Sequence, residues 1–298
     1  MEQRNNTGRL PASLIARLVG SQFSDLEIRS LSHLATGWSH DVWRCGGTLL
    51  RFPLHHNESG IPHNEALLRH LRQHLGVQLP ECTHEGSATD EYRFNFAGYR
   101  WIQGDSLLQA KISKRDFAAL LGPLATLLRT LHQTSPSIPK RFSVATTDRG
   151  DELQLRTQSA QKRASELKVT RYAELAFEAA KAMNPAPEPC QASDYRLVHG
   201  DLHAGQLLID SGPRIVALID WDDVRLGDPA YDLQLVYSFG EPASRGQFWD
   251  IYGSCSRKRQ ARHLALSYGL AFLARACQEG DSELAASAAL QLRNALVP

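Results

Sequence analysis

Three short apolar runs around two acidic turns constrain this chain more than any other feature. Leu197-Val198 leads into the polar stretch His199-Gly200-Asp201-Leu202-His203-Ala204-Gly205-Gln206, and Leu207-Leu208-Ile209 leaves it. Ile215-Val216-Ala217-Leu218-Ile219 follows and ends on Asp220-Trp221-Asp222-Asp223. Apolar runs of this length bounded by turn residues read as strands. A strand into the loop, a strand out, and a third returning make a hairpin that brings the Asp201 loop and Asp220 to one end.

Two carboxylates so placed suit phosphoryl transfer. One orients or deprotonates an attacking hydroxyl, and the other holds a magnesium ion that bridges phosphates. A second reading stays open. His199, Asp201 and His203 alternate as strand residues would, and could share a metal as an HxDxH cluster of a hydrolase. Gly200 and Ala204-Gly205 favour a loop over that strand.

The rest of the chain divides in character. Leu10, Leu14, Ile15 and Leu18 fall at helical spacing, with Pro11 at a first-turn position. Residues 25–36 alternate, and Gly37-Trp38-Ser39-His40 reads as a turn that either cradles phosphate through backbone N–H groups or is an ordinary hairpin turn. Val42–Cys45 and Thr48–Phe52 read as strands joined by Gly46-Gly47. A helix from about His63 to Leu75 follows, then strands near Glu81–His84 and Tyr92–Ile102 about a turn at Glu85-Gly86-Ser87. After Gly104-Asp105 the pattern turns helical: 113–133, 151–167 and 170–183, then beyond the acidic motifs 227–239, 244–253, 257–276 and 281–295. The expected plan is a β-rich N-terminal lobe over 1–103, a hinge near 101–106, and a mostly helical lobe over 104–298.

His199-Gly200-Asp201-Leu202-His203 followed by Ile219-Asp220-Trp221 resembles the paired motif of the aminoglycoside phosphotransferase family, relatives of the protein kinases. Gly227-Asp228-Pro229-Ala230-Tyr231-Asp232-Leu233 resembles that family's next helix start. Phe96-Ala97-Gly98-Tyr99 with Ile102-Gln103-Gly104 resembles its strand and hinge, and Leu50-Arg51-Phe52-Pro53 with Glu65 its phosphate-holding strand and helix. The resemblance spans roughly 30–240. It implies a two-lobed, protein-kinase-like α+β fold. It also implies ATP or GTP with Mg2+, and transfer of the γ-phosphoryl group to the hydroxyl of a small molecule such as a macrolide or aminoglycoside.

On that resemblance Asp201 is the catalytic residue, and Asp220 and Gln206 hold the metal. Arg51, Glu65, Ser39, Trp101, Ile102 and Gln103 bind nucleotide, while His199, His203 and Asp232 support the catalytic loop. Arg51 and Glu65 are expected to pair. Two positions depart from the aminoglycoside pattern: Gln206 stands for Asn and Arg51 for Lys, in both of which the chain resembles the macrolide enzymes. A longer amide stem must re-aim its oxygen, and Arg is not a like-for-like replacement of Lys. These departures keep a non-catalytic nucleotide binder in view, beside a metabolic kinase of sugars or amino alcohols.

The acceptor is less legible. Residues 241–263 hold Glu241 and Asp250 against Arg245, Arg257, Lys258, Arg259 and Arg262, which does not favour a polycation. Asp222 or Asp223 could still reach a cationic substrate. Phe239, Phe248, Trp249 and Tyr252 either line an apolar pocket or belong to the core. The run Arg257-Lys258-Arg259 with Arg262 reads as a solvated helix face.

Composition excludes several partners. A net charge of +1 over 298 residues gives no global field for nucleic acid or anionic membrane. Five scattered cysteines without a CxxC pair exclude a disulfide framework or zinc ribbon and suit a reducing, cytoplasmic setting. The first eight residues lack the apolar centre of a signal peptide, and no apolar run reaches membrane-spanning length. A monomer or weak dimer is expected.

Overall fold

A computed structural model of the protein describes residues 9–37, 39–55, 64–110, 114–135, 137–146, 152–239, 241–253 and 255–298. The described residues of Met1–Arg72 and Gln78–Gln103 form one compact unit, and those of Gln73–Val77 and Gly104–Pro298 a second.

The first unit is an antiparallel sheet with a helix on one face. Helix α1 (Ala12–Gln22) precedes strands β1 (Leu31–Thr36), β2 (His40–Cys45) and β3 (Thr48–Pro53). Helix α2 (Glu65–Leu71) leads to β4 (Cys82–Gly86) and β5 (Phe96–Arg100), and the sheet order is β1-β2-β3-β5-β4. The period-2 pattern sorts its side chains. Trp43, Cys45, Leu50 and Phe52 are buried with Ile15, Leu18 and Val19 of α1, whereas Val42, Arg44, Leu49 and Arg51 alternate onto the less buried face. Phe52 stacks on Phe96 at 4.7 Å between ring centres, which ties β3 to β5 across the core.

Asp41 fastens this unit to its own N-terminal segment. Its fully buried carboxylate accepts hydrogen bonds from Thr36 Oγ1 (2.6 Å), Trp43 Nε1 (2.8 Å), the Leu10 N–H (2.9 Å) and His33 Nε2 (3.0 Å). Burial alone would raise its pKa, but the four donors outweigh burial and hold it below the ordinary value.

The second unit has two small sheets and a helical body. Strand β6 (Asp105–Ser106) precedes helices α3 (Lys114–His132), α4 (Ser137–Arg141), α5 (Glu152–Glu166) and α6 (Ala173–Ala182). Strands β7 (Arg196–Val198), β8 (Leu207–Ile209), β9 (Ile215–Leu218) and β10 (Arg225–Gly227) follow, then α7 (Ala230–Phe239), α8 (Arg245–Tyr252), α9 (Lys258–Glu279) and α10 (Ser282–Leu296). Strand β8 lies between β6 and β9, and β7 pairs antiparallel with β10. Helix α9 is the axis of the helical body and packs against α5, α6, α7 and α10. Leu264, Leu266, Leu270 and Leu273 are buried on different sides of it.

The fold is mixed α+β, as the pattern of strands and helices predicts. Local boundaries differ. Residues 92–95 are not strand, because the Thr89 N–H closes a turn on the Tyr92 carbonyl and Asn95 Oδ1 takes the Ala88 N–H. Glu85 and Gly86, expected in a turn, pair within β4 against Ala97 and Phe96. Residues 28–30 form a short 3-10 turn, so the strand expected over 25–36 begins only at Leu31. The expected helix start at His63 lies outside the described residues.

Asp41→Asn should cost the protein about 2–3 kcal/mol, because one amide cannot accept all four bonds. The folded pKa of Asp41 is depressed, so its stabilisation is present above the unfolded value and lost as pH falls through the folded one. Urea unfolding followed by tryptophan fluorescence should show a gap between wild type and variant at neutral pH that narrows in acid. Superimposable curves at neutral pH would refute this account.

Candidate active site

The polar stretch after β7 is a loop fixed from beneath by one buried carboxylate. Asp232, in the first turn of α7, accepts the His199 N–H on Oδ2 and the Gly200 N–H on Oδ1, each at 2.9 Å. His132 at the end of α3 donates from Nε2 to Asp232 Oδ2 (3.0 Å), and its Nδ1 meets the Tyr252 hydroxyl (2.8 Å). Asp232 is wholly buried, which would raise its pKa. The His132 hydrogen bond and charge, aided by His199 and the Gly200 N–H, win and keep it below the usual carboxylate value. The Gln234 amide donates to the Leu202 carbonyl further along the loop.

Gly200 adopts φ +92°, and a Cβ there would run into the Arg225 guanidinium and the Asp223 carbonyl. Arg225 occupies that space because β10 pairs with β7 and sets Arg225 opposite Val198. Its guanidinium donates to the Gly200 carbonyl (3.1 Å) and the Asp223 carbonyl (2.9 Å), and lies 4.5 Å from the Tyr231 ring centre. Beyond it, Arg156 pairs with Glu152 at 2.9 Å and faces the rings of Tyr231 and Tyr268.

Asp201 follows Gly200 at the head of the loop. Its pKa is raised to about 6, first by burial, then by the charge of Asp223 and more weakly by Asp220, against the opposing pull of His199 and Arg225. Asp220 follows β9 with φ +66°, a left-handed conformation uncommon for any residue but glycine and one that Asp tolerates better than most. The turn carrying it is held on both sides: the Ile219 N–H donates to the Gln206 carbonyl (3.0 Å) and His199 Nε2 to the Ile219 carbonyl (2.9 Å). The hairpin therefore sets Asp220 within electrostatic reach of Asp201.

Gln206 and His203 form a local cluster. Gln206 Oε1 accepts the His203 N–H (2.8 Å), its amide nitrogen lies 2.8 Å from His203 Nε2, and the Gly205 N–H donates to His203 Nδ1 (3.0 Å). Gly205 is required less for backbone freedom than for room, since a Cβ would lie 2.6 Å from the His203 ring. Burial lowers the His203 pKa to about 4, despite the charge of Asp220, so the ring is neutral at physiological pH.

Among the described residues no group of three or more His, Cys, Asp or Glu side chains is arranged to hold a metal. This counts against an HxDxH centre. A magnesium site needs less: one or two protein oxygens completed by water and phosphate. The Asp220 carboxylate and the Gln206 amide oxygen are hard-oxygen donors of the kind such a site takes.

In the first unit, Arg51 Nη2 lies 3.2 Å from His40 Nδ1, and Ser39 Oγ lies 2.9 Å from the same nitrogen, so these two predicted residues meet at His40. Trp38 lies outside the described residues. The Trp101 N–H donates to the Gly47 carbonyl (2.8 Å), its indole to Gln103 Oε1 (3.3 Å), and Arg44 covers its ring at 4.2 Å. Ile102 lies between them, past the end of β5. The expected Arg51–Glu65 pair is absent. Arg72 binds Glu65 with both guanidinium nitrogens (2.9 and 3.3 Å), and the Cys82 N–H adds a bond at 3.3 Å, so the carboxylate faces β4.

Sequence reasoning missed His132, Arg225 and Gln234. His132 carried a faint signal: it follows Leu131 at the buried end of a leucine-rich helix. Arg225 carried none, because its role depends on a three-residue strand. Phe248 is wholly buried and stacks on Tyr252 at 5.5 Å, which assigns Phe248 to the core, while Phe239, Trp249 and Tyr252 are half-buried.

Residues 30–264 match the model of the phosphotransferase enzyme family, and the chain belongs to that family. It is 32% identical over 72 residues to the uncharacterized protein YcbJ of Bacillus subtilis, and 45% identical over 49 residues to viomycin phosphotransferase of Streptomyces vinaceus. These stretches cover 23% and 15% of this chain, and only 24% and 17% of the two relatives. Among solved structures, APH(2")-IIia with GDP and kanamycin superposes with a TM-score of 0.68 at 18% identity, over 95% of this chain and 98% of that one. Macrolide 2'-phosphotransferase MphH from Brachybacterium faecium gives 0.62 at 18% identity, over 94% and 97%. The fold is thus that of the antibiotic phosphotransferases.

The raised pKa of Asp201 makes its ionised form a cost to folding. The folded protein keeps this proton up to about pH 6, whereas the unfolded chain releases it near 3.8, so stability from this group falls as pH rises through that window. Without metal or nucleotide, Asp201→Asn should therefore be more stable than wild type near neutral pH by on the order of 1–3 kcal/mol. The two should converge below about pH 4, where both states bind the proton. Denaturant melts across that range test the point, and a destabilised variant would overturn it.

Proposed function

We propose that the protein transfers the γ-phosphoryl group of ATP or GTP to a hydroxyl of a small molecule, with an antibiotic of the macrolide or aminoglycoside type as the leading acceptor class. The observation that carries this reading is Asp201. A carboxylate with a pKa near 6 sits at the head of a loop locked by Asp232, with Asp220 close by. Asp201 accepts the hydrogen bond of the acceptor hydroxyl and takes its proton as the new P–O bond forms and the bond to the β-phosphate oxygen breaks. Asp220 and Gln206 would hold Mg2+, which when bound neutralises phosphate charge. Arg51 and Ser39 are assigned to the nucleotide phosphates, and Trp101, Ile102 and Gln103 to the base. Glu65 orders this region through Arg72 and β4.

With His199 bound to the Ile219 carbonyl and Asp232 buried under the His199 and Gly200 N–H groups, these two residues position Asp201 and take no proton from substrate. The placement of reaction and product in a reducing cytoplasm fits the five free cysteines; no described helix is long and apolar enough to cross a membrane.

The test is nucleotide consumption against a panel of aminoglycosides, macrolides, sugars and amino alcohols, with ATP and GTP in parallel. Asp201→Asn should lose at least a thousandfold in turnover while keeping nucleotide affinity, and Asp220→Ala should lose Mg-dependent nucleotide binding in calorimetry. The wild-type kcat/KM should fall as pH drops through about 6, where Asp201 gains its proton. No metal-dependent turnover with any acceptor would sink the proposal.

One observation favours a non-catalytic nucleotide binder: Gln206 Oε1 is engaged by the His203 N–H. Gln206→Leu decides between the readings. If the amide oxygen serves the metal, Leu cripples turnover and Gln206→Asn preserves it. If Gln206 only braces the loop, Leu and Asn both lower thermal stability with metal dependence unchanged.

A further inference from the structure

The basic run at the start of α9 is not merely a solvated face. Arg257 is buried and its guanidinium pairs with Asp228. The next three cations have no carboxylate partner among the described residues. Lys258 lies 4.6 Å from the Trp249 ring centre, Arg259 donates to the Pro185 carbonyl (3.3 Å), and Arg262 donates to the carbonyls of Ala295 (2.7 Å) and Leu296. These partners are neutral, so no side-chain carboxylate balances the three positive charges. They also stand at the positive end of a 22-residue helix dipole, where anions and not cations are favoured.

All three line one cavity of about 260 Å3, with Pro185 and Pro187 on one wall and buried Tyr237 and Leu266 beneath. No side-chain carboxylate lines it; Pro298 does, with an oxygen 3.5 Å from Arg245 Nη1, and the three cations outnumber that one acidic group. A single ordered water needs only about 10–15 Å3 on this measure, so the space suits a small organic molecule. Arg245 lies behind Tyr237, bonded to the Tyr237 and Val297 carbonyls, and its guanidinium is pushed down to about 10 by burial, with the charge of Arg262 adding and Tyr237 opposing.

This cavity is distinct from the Asp201 loop. Phe272 contacts the His203 ring, and Tyr268 feels the Asp201 charge. At about 100° per residue, Tyr268 points about 200° away from Leu266, so the two regions lie on different sides of α9.

We propose that this cavity is a second binding site, for a small organic anion that bears a phosphate or carboxylate group. The cations fork onto the anionic oxygens, and the Tyr237, Leu266 and proline surfaces take the carbon skeleton. This does not depend on the phosphotransferase reading.

Calorimetry on the full chain tests it, with glucose 6-phosphate and citrate as separate probes at constant ionic strength. A saturating non-hydrolysable Mg-nucleotide is present to occupy any nucleotide site, and the titration is repeated with EDTA in its place. Saturable binding of either probe is expected in both conditions, and the arm that binds tells phosphate from carboxylate. The double variant Lys258→Gln, Arg259→Gln should weaken it at least tenfold. Ala182→Phe, an exposed rim position, should block the cavity without removing a charge. Nucleotide affinity should stay unchanged in both. Absence of saturable binding, equal heats from sodium chloride, or affinity unaltered in both variants would overturn the proposal.

Discussion

The buried carboxylate of Asp232 is the constraint on which the site depends. A loop that must present a carboxylate cannot satisfy its own backbone by strand pairing, because its residues leave the ladder after Val198. Two consecutive N–H groups, of His199 and Gly200, are thereby left inside the protein, and each would cost about 1–3 kcal/mol unpaired. Asp232 satisfies both with one side chain from α7, and His132 from α3 supplies the counter-donor that keeps it ionised. Helices distant in sequence are thus fixed to the loop through three bonds on the Asp232 oxygens. A buried charge removed from such a network leaves its partners stranded, which is the costly way to break it.

Around Asp201 the physics runs the other way. Its burial and its acidic neighbours, Asp223 and Asp220, disfavour the charged form, the one the proposed proton transfer would use. The loop is tolerated because Arg225 and His199 recover part of that cost, and because Asp232 and β10 hold the backbone independently of Asp201. Sites that store destabilising charge in this way trade stability for function. The same organisation explains why Gly200 admits no side chain: its missing Cβ is the space through which Arg225 reaches the loop carbonyl.

Much of this was legible in the sequence, for definite reasons. The strands β7, β8 and β9 are short apolar runs broken by polar turns, and the long helices carry leucines at 3.6-residue spacing, so hydrophobic period alone predicts them. Asp201 and Asp220 stood out because charged residues directly beside buried apolar runs are rarely surface decoration, whereas Asp232 was indicated only by the resemblance of its segment to the family's helix start. What escaped were features set by partners far along the chain. Strand β10 has only three residues and exists because β7 is beside it. The Arg51–Glu65 pair was read from residue types, yet Arg72 lies two turns along from Glu65 and reaches it first. Asp41 attracted no notice, although it gathers four donors, because those donors converge only after β1 and β2 pair.

Gln206 shows how a departure from a motif can be accommodated by its neighbours. The neutral His203 ring has one acceptor nitrogen. If Nδ1 accepts the Gly205 N–H, then Nε2 carries the proton and faces the Gln206 amide nitrogen, donor against donor. If Nε2 accepts from the amide instead, Nδ1 carries the proton and faces the Gly205 N–H. Turning the amide over satisfies Nε2 but sets its NH2 group against the His203 N–H. Every arrangement leaves one of the three bonds unmade, so the Gln206 side chain is not held as firmly as its burial suggests. The longer stem of Gln, relative to Asn, is what lets it reach back to His203 at all. A swing of Oε1 away from His203 therefore forfeits a cluster that is already one bond short.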